Sequence, residues 1–389
     1  MPEYVICEVA VPASGEALPS WVLRDVTRLW EARATELIGS LDFVDEPASL
    51  MRNYAAQDGQ DWTYLVAVAG CDTSALPRDG RTGRPVVNFD ADGGSPGGDG
   101  RLLGFSTVEC PTRDNLLLAN LDVLVDAPFR RQGLGTDLYL AAERCAIDHG
   151  RRIFLDWSSH QPPRPGEARL VPPTDVGAIP LDAATRFALR HGFDLEQVER
   201  HSVLDLPCAA DALDRIWSDA APRASGYRLR TFEGRIPDDL IDAYVSLLVH
   251  FTAEEPVAGL EVEVENWDAD RVRRMEERRT ASGRRVWNTV AIHEASGDVA
   301  AMTELSCPSL GGRTQHGFQN VTIVDSRHRG HRLGWLVKVA NVRALQEGDP
   351  GRRRIHTWNA GENQWMLAIN DAMGFRPKLA EGAWQKKLP

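Results

Sequence analysis

One strand–turn–helix signature appears twice in this chain, 199 positions apart (329 − 130), and any fold proposed for it must contain that unit twice. The first copy is LDVLVDAPFRRQGLG at 121–135 and the second is NVTIVDSRHRGHRLG at 320–334, aligned without a gap. In each, an apolar run ends at Val125 or Val324, Asp126 or Asp325 follows, and Arg130 or Arg329 opens a Gly-bearing turn. The run 121–125 reads as a strand covered on both faces, and Leu134, Leu138, Ala141, Ala142 and Cys145 fall on one face of a following helix. Each copy is followed by a helix, a Trp-bearing strand (RIFLDW at 152–157, RIHTW at 354–358) and later a Gly-Phe pair, Gly192-Phe193 or Gly374-Phe375. The matching downstream order predicts a duplicated domain.

A strand that runs through such a turn into a helix N-terminus points several backbone N–H groups outward. That makes an anion site, and glycine lets the backbone come close to the anion. The turn residues at the first site are Arg130, Arg131, Gln132, Gly133, Leu134, Gly135 and Thr136, reached from the strand that carries Val123 and Val125. Those at the second are Arg329, Gly330, His331, Arg332, Leu333 and Gly334, reached from the strand that carries Ile323 and Val324. A tight structural turn on a solvated helix end is the alternative for either.

The remaining segments repeat as well. The first half reads as a strand at 3–12, an amphipathic helix at 20–40 and strands at 63–70, 101–110 and 116–126. The turn, its helix, the strand 152–157, a helix at 182–191 and a strand at 198–206 complete it. GGSPGGDG, 93–100, reads as a mobile hairpin loop, and 158–181 as a long Pro-rich loop of the functional or disordered kind. The second half gives a strand at 227–232, helices at 236–251 and 269–280, and strands at 285–294, 298–307 and 317–325. The turn and its helix, the strand 354–358, a helix at 363–373 and a last strand near 380–387 follow. The class is α+β: two domains, 1–206 and 227–389, each a mixed, mostly antiparallel sheet flanked by helices, joined by a helix and linker at 207–226.

Composition narrows function. No apolar run reaches the ~18 residues of a membrane span, and the N-terminus lacks a secretory pattern. The six cysteines are scattered with no CxxC pair, which predicts reduced thiols in a cytoplasmic protein. A net charge of −12 argues against nucleic acid and favours a cationic small molecule through steering, although a merely solvated acidic surface accounts for it equally well.

These motifs resemble the GNAT acetyltransferase superfamily, and the resemblance covers most of both halves. Its pyrophosphate motif stands here as Val125, Pro128, Arg130, Gly133 and Gly135, complete. The second copy keeps Arg329 and Gly334 but has Arg332 where the middle Gly belongs. Asn363, Met366, Asn370 and Gly374-Phe375 look like the superfamily's later helix and its Gly-Phe turn. The resemblance implies tandem GNAT domains that bind acetyl-CoA or another acyl-CoA. The pyrophosphate would lie on the turn and the pantetheine arm between two splayed strands, 121–125 with 152–157 and 320–324 with 354–358. Asn359 and Asn363 would meet the arm.

The resemblance further implies acyl transfer to the amine of a small molecule by direct attack on the thioester. That needs a base for the ammonium proton and an N–H at the oxyanion. The superfamily's acid, often a Tyr four residues before Gly-Phe, is replaced by Ala188 in the first half and Asn370 in the second. Glu304, inside an apolar strand, is the leading base candidate, with a structural role as its alternative. His316, His356, Glu254, Glu255, Asp122 and Asp156 are weaker ones. Trp157 and Trp358 read as core. The second half is expected to be catalytic, with the first binding acyl-CoA or serving as scaffold. The missing Tyr in both halves supports a different class of function, a silent acyl-CoA sensor.

Overall fold

A computed structural model of the chain describes residues 2–12, 20–57, 59–74, 76–87, 101–252 and 258–389. The stretch 93–100 and the pair Glu254 and Glu255 lie outside the described residues. In chain order come β1 (Tyr4–Val9), α1 (Trp21–Ile38), α2 (Pro47–Ala55), β2 (Gln60–Ala69), β3 (Val86–Val87), β4 (Arg101–Pro111) and β5 (Leu118–Val125). Then come α3 (Leu134–Asp148), β6 (Ile153–His160), β7 (Arg169–Leu170), β8 (Ile179–Pro180), α4 (Ala183–Arg190), β9 (Asp194–Asp205) and α5 (Ala210–Ala220). The chain continues through β10 (Tyr227–Glu233), α6 (Ile241–Thr252), α7 (Ala269–Ala281), β11 (Arg284–His293), β12 (Val299–Pro308) and β13 (His316–Val324). It ends with α8 (Leu333–Gly348), β14 (Arg354–Ala360), α9 (Gln364–Met373) and β15 (Arg376–Lys387).

Two compact units result. The first is drawn from residues 1–158, 186–194 and 383–389, the second from 159–185 and 195–382. Each is the expected α+β arrangement of a mixed, mostly antiparallel sheet with helices on it. No helix of the described residues is long and apolar enough to cross a membrane.

In the first unit the strand order is β6-β5-β4-β2-β1-β3. Cross-strand partners share a face, so the register sets Tyr64, Thr107 and Asp122 in one row. That face also carries Val66, Phe105 and Leu124, which cluster with Val22, Val26 and Leu29 of α1. α1 starts where Ser20 Oγ accepts from Leu23 N–H and stops at Gly39, whose φ of +70° only glycine adopts cheaply. The opposite face meets α3 through Ala67, Leu103, Leu134 and Leu138. Trp157, expected in the core, is 39% exposed.

In the second unit the order is β10-β11-β12-β13-β14-β9. Val290, Met302 and Ile323 pack on α6 and α7. Trp287, Leu305 and Cys307 pack on the other side with Val339 and Val342 of α8 and Ile369 and Met373 of α9. The helix expected from 236 begins only at Ile241. Ile236 is instead tied to α7, donating to Glu276 and accepting from Arg273. Those side chains satisfy the backbone groups that a longer helix would have used. The Pro-rich segment holds a two-residue ladder, β7 with β8, and Asp182 pins its end by bonding His160 Nδ1 (2.8 Å) and Thr185 N (3.0 Å).

Candidate functional site

Both repeat turns enter their helices through two left-handed residues. In the first unit these are Arg131 (φ +63°) and Gly133 (φ +96°); in the second they are Gly330 (φ +87°) and Arg332 (φ +57°). Arg and Gly exchange places, yet the conformational pattern is the same. Arg332 therefore adopts the conformation of the glycine it replaces, and its guanidinium lies over the Trp335 ring at 5.2 Å. A non-glycine residue there costs roughly 1–2 kcal/mol, so each turn stores strain at one Arg. A Cβ added at Gly133 or Gly330 would meet nothing within 4 Å, so the space beside each turn is open. Neither α3 nor α8 has a side-chain cap, and the first amides of a helix have no intrahelical acceptor. Each turn thus presents N–H groups and a positive helix end, a cradle that fits a pyrophosphate.

Buried carboxylates fix the turns. Asp126 accepts from Arg101 at 2.9 Å and from Arg28 at 3.4 Å. Asp325 is gripped by Arg327 at 2.6 Å and 3.0 Å, and these hydrogen bonds hold its carboxyl down at about 2. Arg130 points back into the fold, donating to Val125 O (3.0 Å) and to Glu36. Gln132 donates to Pro128 O (3.0 Å), and His331 Nδ1 to Arg223 O (3.1 Å). Leu134 and Leu333 are buried anchors under each turn. A methyl group at Gly135 would sit 3.5 Å from Val125 Cγ2, and one at Gly334 3.4 Å from Val324 Cγ2. Either methyl would make ordinary van der Waals contact, so each helix start lies close to its strand without needing a glycine there.

Below each turn the parallel strands part. The β5–β6 ladder covers only Leu118–Asn120 against Ile153–Leu155, and the β13–β14 ladder only His316–Phe318 against Arg354–His356. Among the described residues no further rung joins either pair, although β5 runs on to Val125 and β13 to Val324. Open strand edges beneath an anion cradle form a slot for an extended chain bearing amides. In the second unit Asn320 is the extra residue of a bulge, because Glu304 pairs Val321 and Leu305 pairs Gln319. Bulges re-aim backbone groups beside a site.

The fold of the chain recurs in solved structures. A tandem GNAT protein from the clavulanic acid biosynthesis pathway superposes at a TM-score of 0.67 with 23% identity, over 99% of this chain and 98% of that one. The chain has the tandem GNAT fold. A GCN5-related N-acetyltransferase from Sphaerobacter thermophilus matches at 0.55 and 15%, covering 99% of this chain and 95% of its own. A glucosamine N-acetyltransferase region of a fungal multi-domain β-N-acetylglucosaminidase matches at 0.61 and 13%, over 99% of this chain and 38% of that one. At these identities the likeness is one of fold. No family model and no curated protein sequence matches the chain.

In the second GNAT unit, Glu304 faces α6 and α7 and is 2% exposed. Its oxygens accept from Arg279 Nη1 and Asn320 Nδ2, each at 2.6 Å. Asn370 is fully enclosed between Lys338, whose Nζ donates to its oxygen (2.8 Å), and Asn359, whose oxygen takes its NH2 (2.6 Å). Asn363 caps α9 by accepting from Met366 N, a structural role legible only in the fold. Ile323 is a core side chain, so only its backbone can serve the slot. His316 and His356 are buried, with His356 and Trp358 in a row of rings that includes His201 and Phe318. Neither Arg279 nor Lys338 was singled out from sequence. A lone lysine in the apolar run LGWLVKVANV was the available signal for the second.

The first GNAT unit differs. Thr107 stands where Glu304 stands, three residues past Gly104 as Glu304 is past Ala301. Its carboxylate is on the neighbouring strand instead: burial pushes Asp122 up to about 6, against the pull of Arg33 and a backbone N–H. The Tyr-equivalent Ala188 is buried, and His191 Nε2 lies 3.5 Å from Thr136 Oγ1 on α3. Gly104 sits opposite Val125, and a Cβ there would come 2.7 Å from Leu124 O and 3.1 Å from Leu138. Gly104→Ala is therefore expected to cost about 1–3 kcal/mol, read as a lower urea midpoint, because backbone must move.

Proposed function

We propose that both GNAT units hold an acyl-CoA, with acetyl-CoA the expected donor, and that the second unit passes the acyl group to the amine of a small, cationic molecule. The observation that supports this most is the uncapped helix N-terminus above an open parallel slot, present in each unit. Bound there, the cofactor would supply the acyl group as an activated thioester. Amides of 131–136 and 330–334 would take the pyrophosphate, and the free edges at Val123, Val125, Ile323 and Val324 would take the arm. Glu304, on the face opposite α8, would orient the acceptor's ammonium and receive its proton, directly or through water, so that the free amine attacks. The net charge of −12 draws such a cation in. Asn370 is enclosed and acts on the slot through Asn359.

A second reading places the chemistry in the first unit. Asp122 favours it, because a base tuned to about 6 matches neutral working pH better than an ordinary carboxylate. Thiol release from acetyl-CoA against a panel of amines separates the readings. Loss in Glu304→Gln alone supports the second unit. Loss in Asp122→Asn alone moves the reaction to the first and requires turnover to rise with pH through about 6. No release with any amine, beside tight acetyl-CoA binding, leaves a silent sensor.

Arg131→Glu and Arg332→Glu test the cradles without a new backbone conformation, since both positions are already left-handed and non-glycine. Each is expected to weaken acetyl-CoA binding in its own unit about tenfold or more by titration calorimetry, roughly 1.4 kcal/mol. Unchanged binding in both variants would remove the turns from the reading.

A further inference from the structure

Lys338 is a fully enclosed lysine that the proposed reaction does not use. It lies one helical turn past Gly334 on α8, at the position Tyr139 holds in the first unit (338 − 139 = 199). Its Nζ is 2.8 Å from Asn370 Oδ1, 3.9 Å from Met366 Sδ and 5.4 Å from the centre of the Phe375 ring. Asn370 Nδ2 donates to Asn359 Oδ1 at 2.6 Å. Asn359 is half-buried on β14, past the last rung of the β13–β14 ladder.

An ammonium has three donors and no acceptor. While charged, Lys338 admits only the oxygen of Asn370. The NH2 of Asn370 must then face Asn359, which answers with its own oxygen, and the NH2 of Asn359 is left as the outward group. A neutral amine carries a lone pair and can accept. It also keeps two donors, so both amides are then free to turn over, and Asn359 can present its oxygen as well as its NH2.

We infer that Lys338 is a positioning residue whose charge sets the hydrogen-bond polarity of the Asn370–Asn359 pair, and so whether the slot of the second unit is met by a donor or an acceptor. The inference rests on the acyl-CoA reading of that slot. It adds a device that favours carbonyl-bearing ligands in the charged state, since a carbonyl oxygen needs a donor. Burial alone brings the Lys338 ammonium down to about 7, so both states are populated near neutrality. Charged groups near the pair include Arg200 on β9, cross-strand from Asn359, and Asp371 on α9, which bond each other at 2.6 Å. In the first unit, burial and the Glu143 hydrogen bond push Tyr139 upward, so the equivalent group keeps its proton.

The test uses the full chain with labelled lysine Cε and side-chain amides, followed by NMR across pH. The Lys338 signal and the NH2 signals of Asn370 and Asn359 are expected to share one midpoint, near that of the lysine. In Lys338→Met both amide titrations vanish while the protein stays folded with an equal or higher Tm. In the Arg131→Glu background, acetyl-CoA affinity of the second unit should fall about three- to tenfold between about pH 6 and pH 8, the worth of one hydrogen bond. Lys338→Arg should flatten that dependence. Amide signals that do not follow the lysine, or that still titrate in Lys338→Met, overturn the inference. A chain that shows the shared titration but binds no acetyl-CoA upholds the polarity device and counts against the acyl-CoA reading alone.

Discussion

Arg279→Met is expected to destabilise the second unit by about 3 kcal/mol, and adding Glu304→Leu to restore most of the loss. Glu304 is 2% exposed, and one of its two oxygens depends on Arg279. Removing the guanidinium leaves an enclosed carboxylate held by Asn320 alone. Removing both charges leaves the amide of Asn320, an exposed residue that can turn to water, so little of the loss should remain. Urea unfolding of the two singles and the double measures the coupling directly. A double variant no more stable than Arg279→Met would mean that the carboxylate is solvated from the slot and needs no partner. The same double variant tests the chemistry. Folded and inactive, it supports Glu304 at the acceptor; folded and active, it makes Glu304 a structural residue.

The second large effect is acid sensitivity of the second unit. His201 is fully buried, its Nε2 lies 3.0 Å from His356 Nδ1, and burial first, then the charges of His356 and Lys378, bring it down to about 3. The folded chain therefore refuses a proton that the unfolded chain takes up near pH 6.5. Stability is complete above that pH and falls by up to about 1.4 kcal/mol per pH unit below it, for a total of roughly 3–5 kcal/mol by pH 3. His201→Leu should flatten this slope while costing about 1 kcal/mol at neutral pH through the lost hydrogen bond. Denaturant midpoints of wild type and variant at pH 7, 6 and 5 provide the check, and equal slopes would place the proton elsewhere. Asp325 does not confound the window: its depressed carboxyl stabilises above the ordinary carboxylate range, and that contribution is lost only as pH falls toward about 2.

Much of the fold could be read in advance because two periodicities survive in the chain. The apolar runs ending at Val125 and Val324, and the helical spacing from Leu134, are local patterns that tertiary contacts reinforce. The start of α6 was not legible, since whether Ile236 continues a helix depends on Glu276 and Arg273, some forty residues away. Asn363 carries the same lesson. Its residue type fits a ligand amide and a helix cap equally well, and only the bond from Met366 N shows the cap.

The sequence by itself determined that one strand–turn–helix unit is built twice, because a strand ending, a Gly-bearing bend and a helix start are set by neighbouring residues. It also fixed which side chains are available beside each turn. Tertiary structure alone decided what those side chains can do. Arg332 takes a glycine's conformation, Glu304 is clasped by Arg279 across to α7, and Lys338 loses its solvent between α8 and α9. Each outcome depends on groups distant in the chain, and the charge state and hydrogen-bond direction of a buried group belong to its surroundings rather than to its residue type.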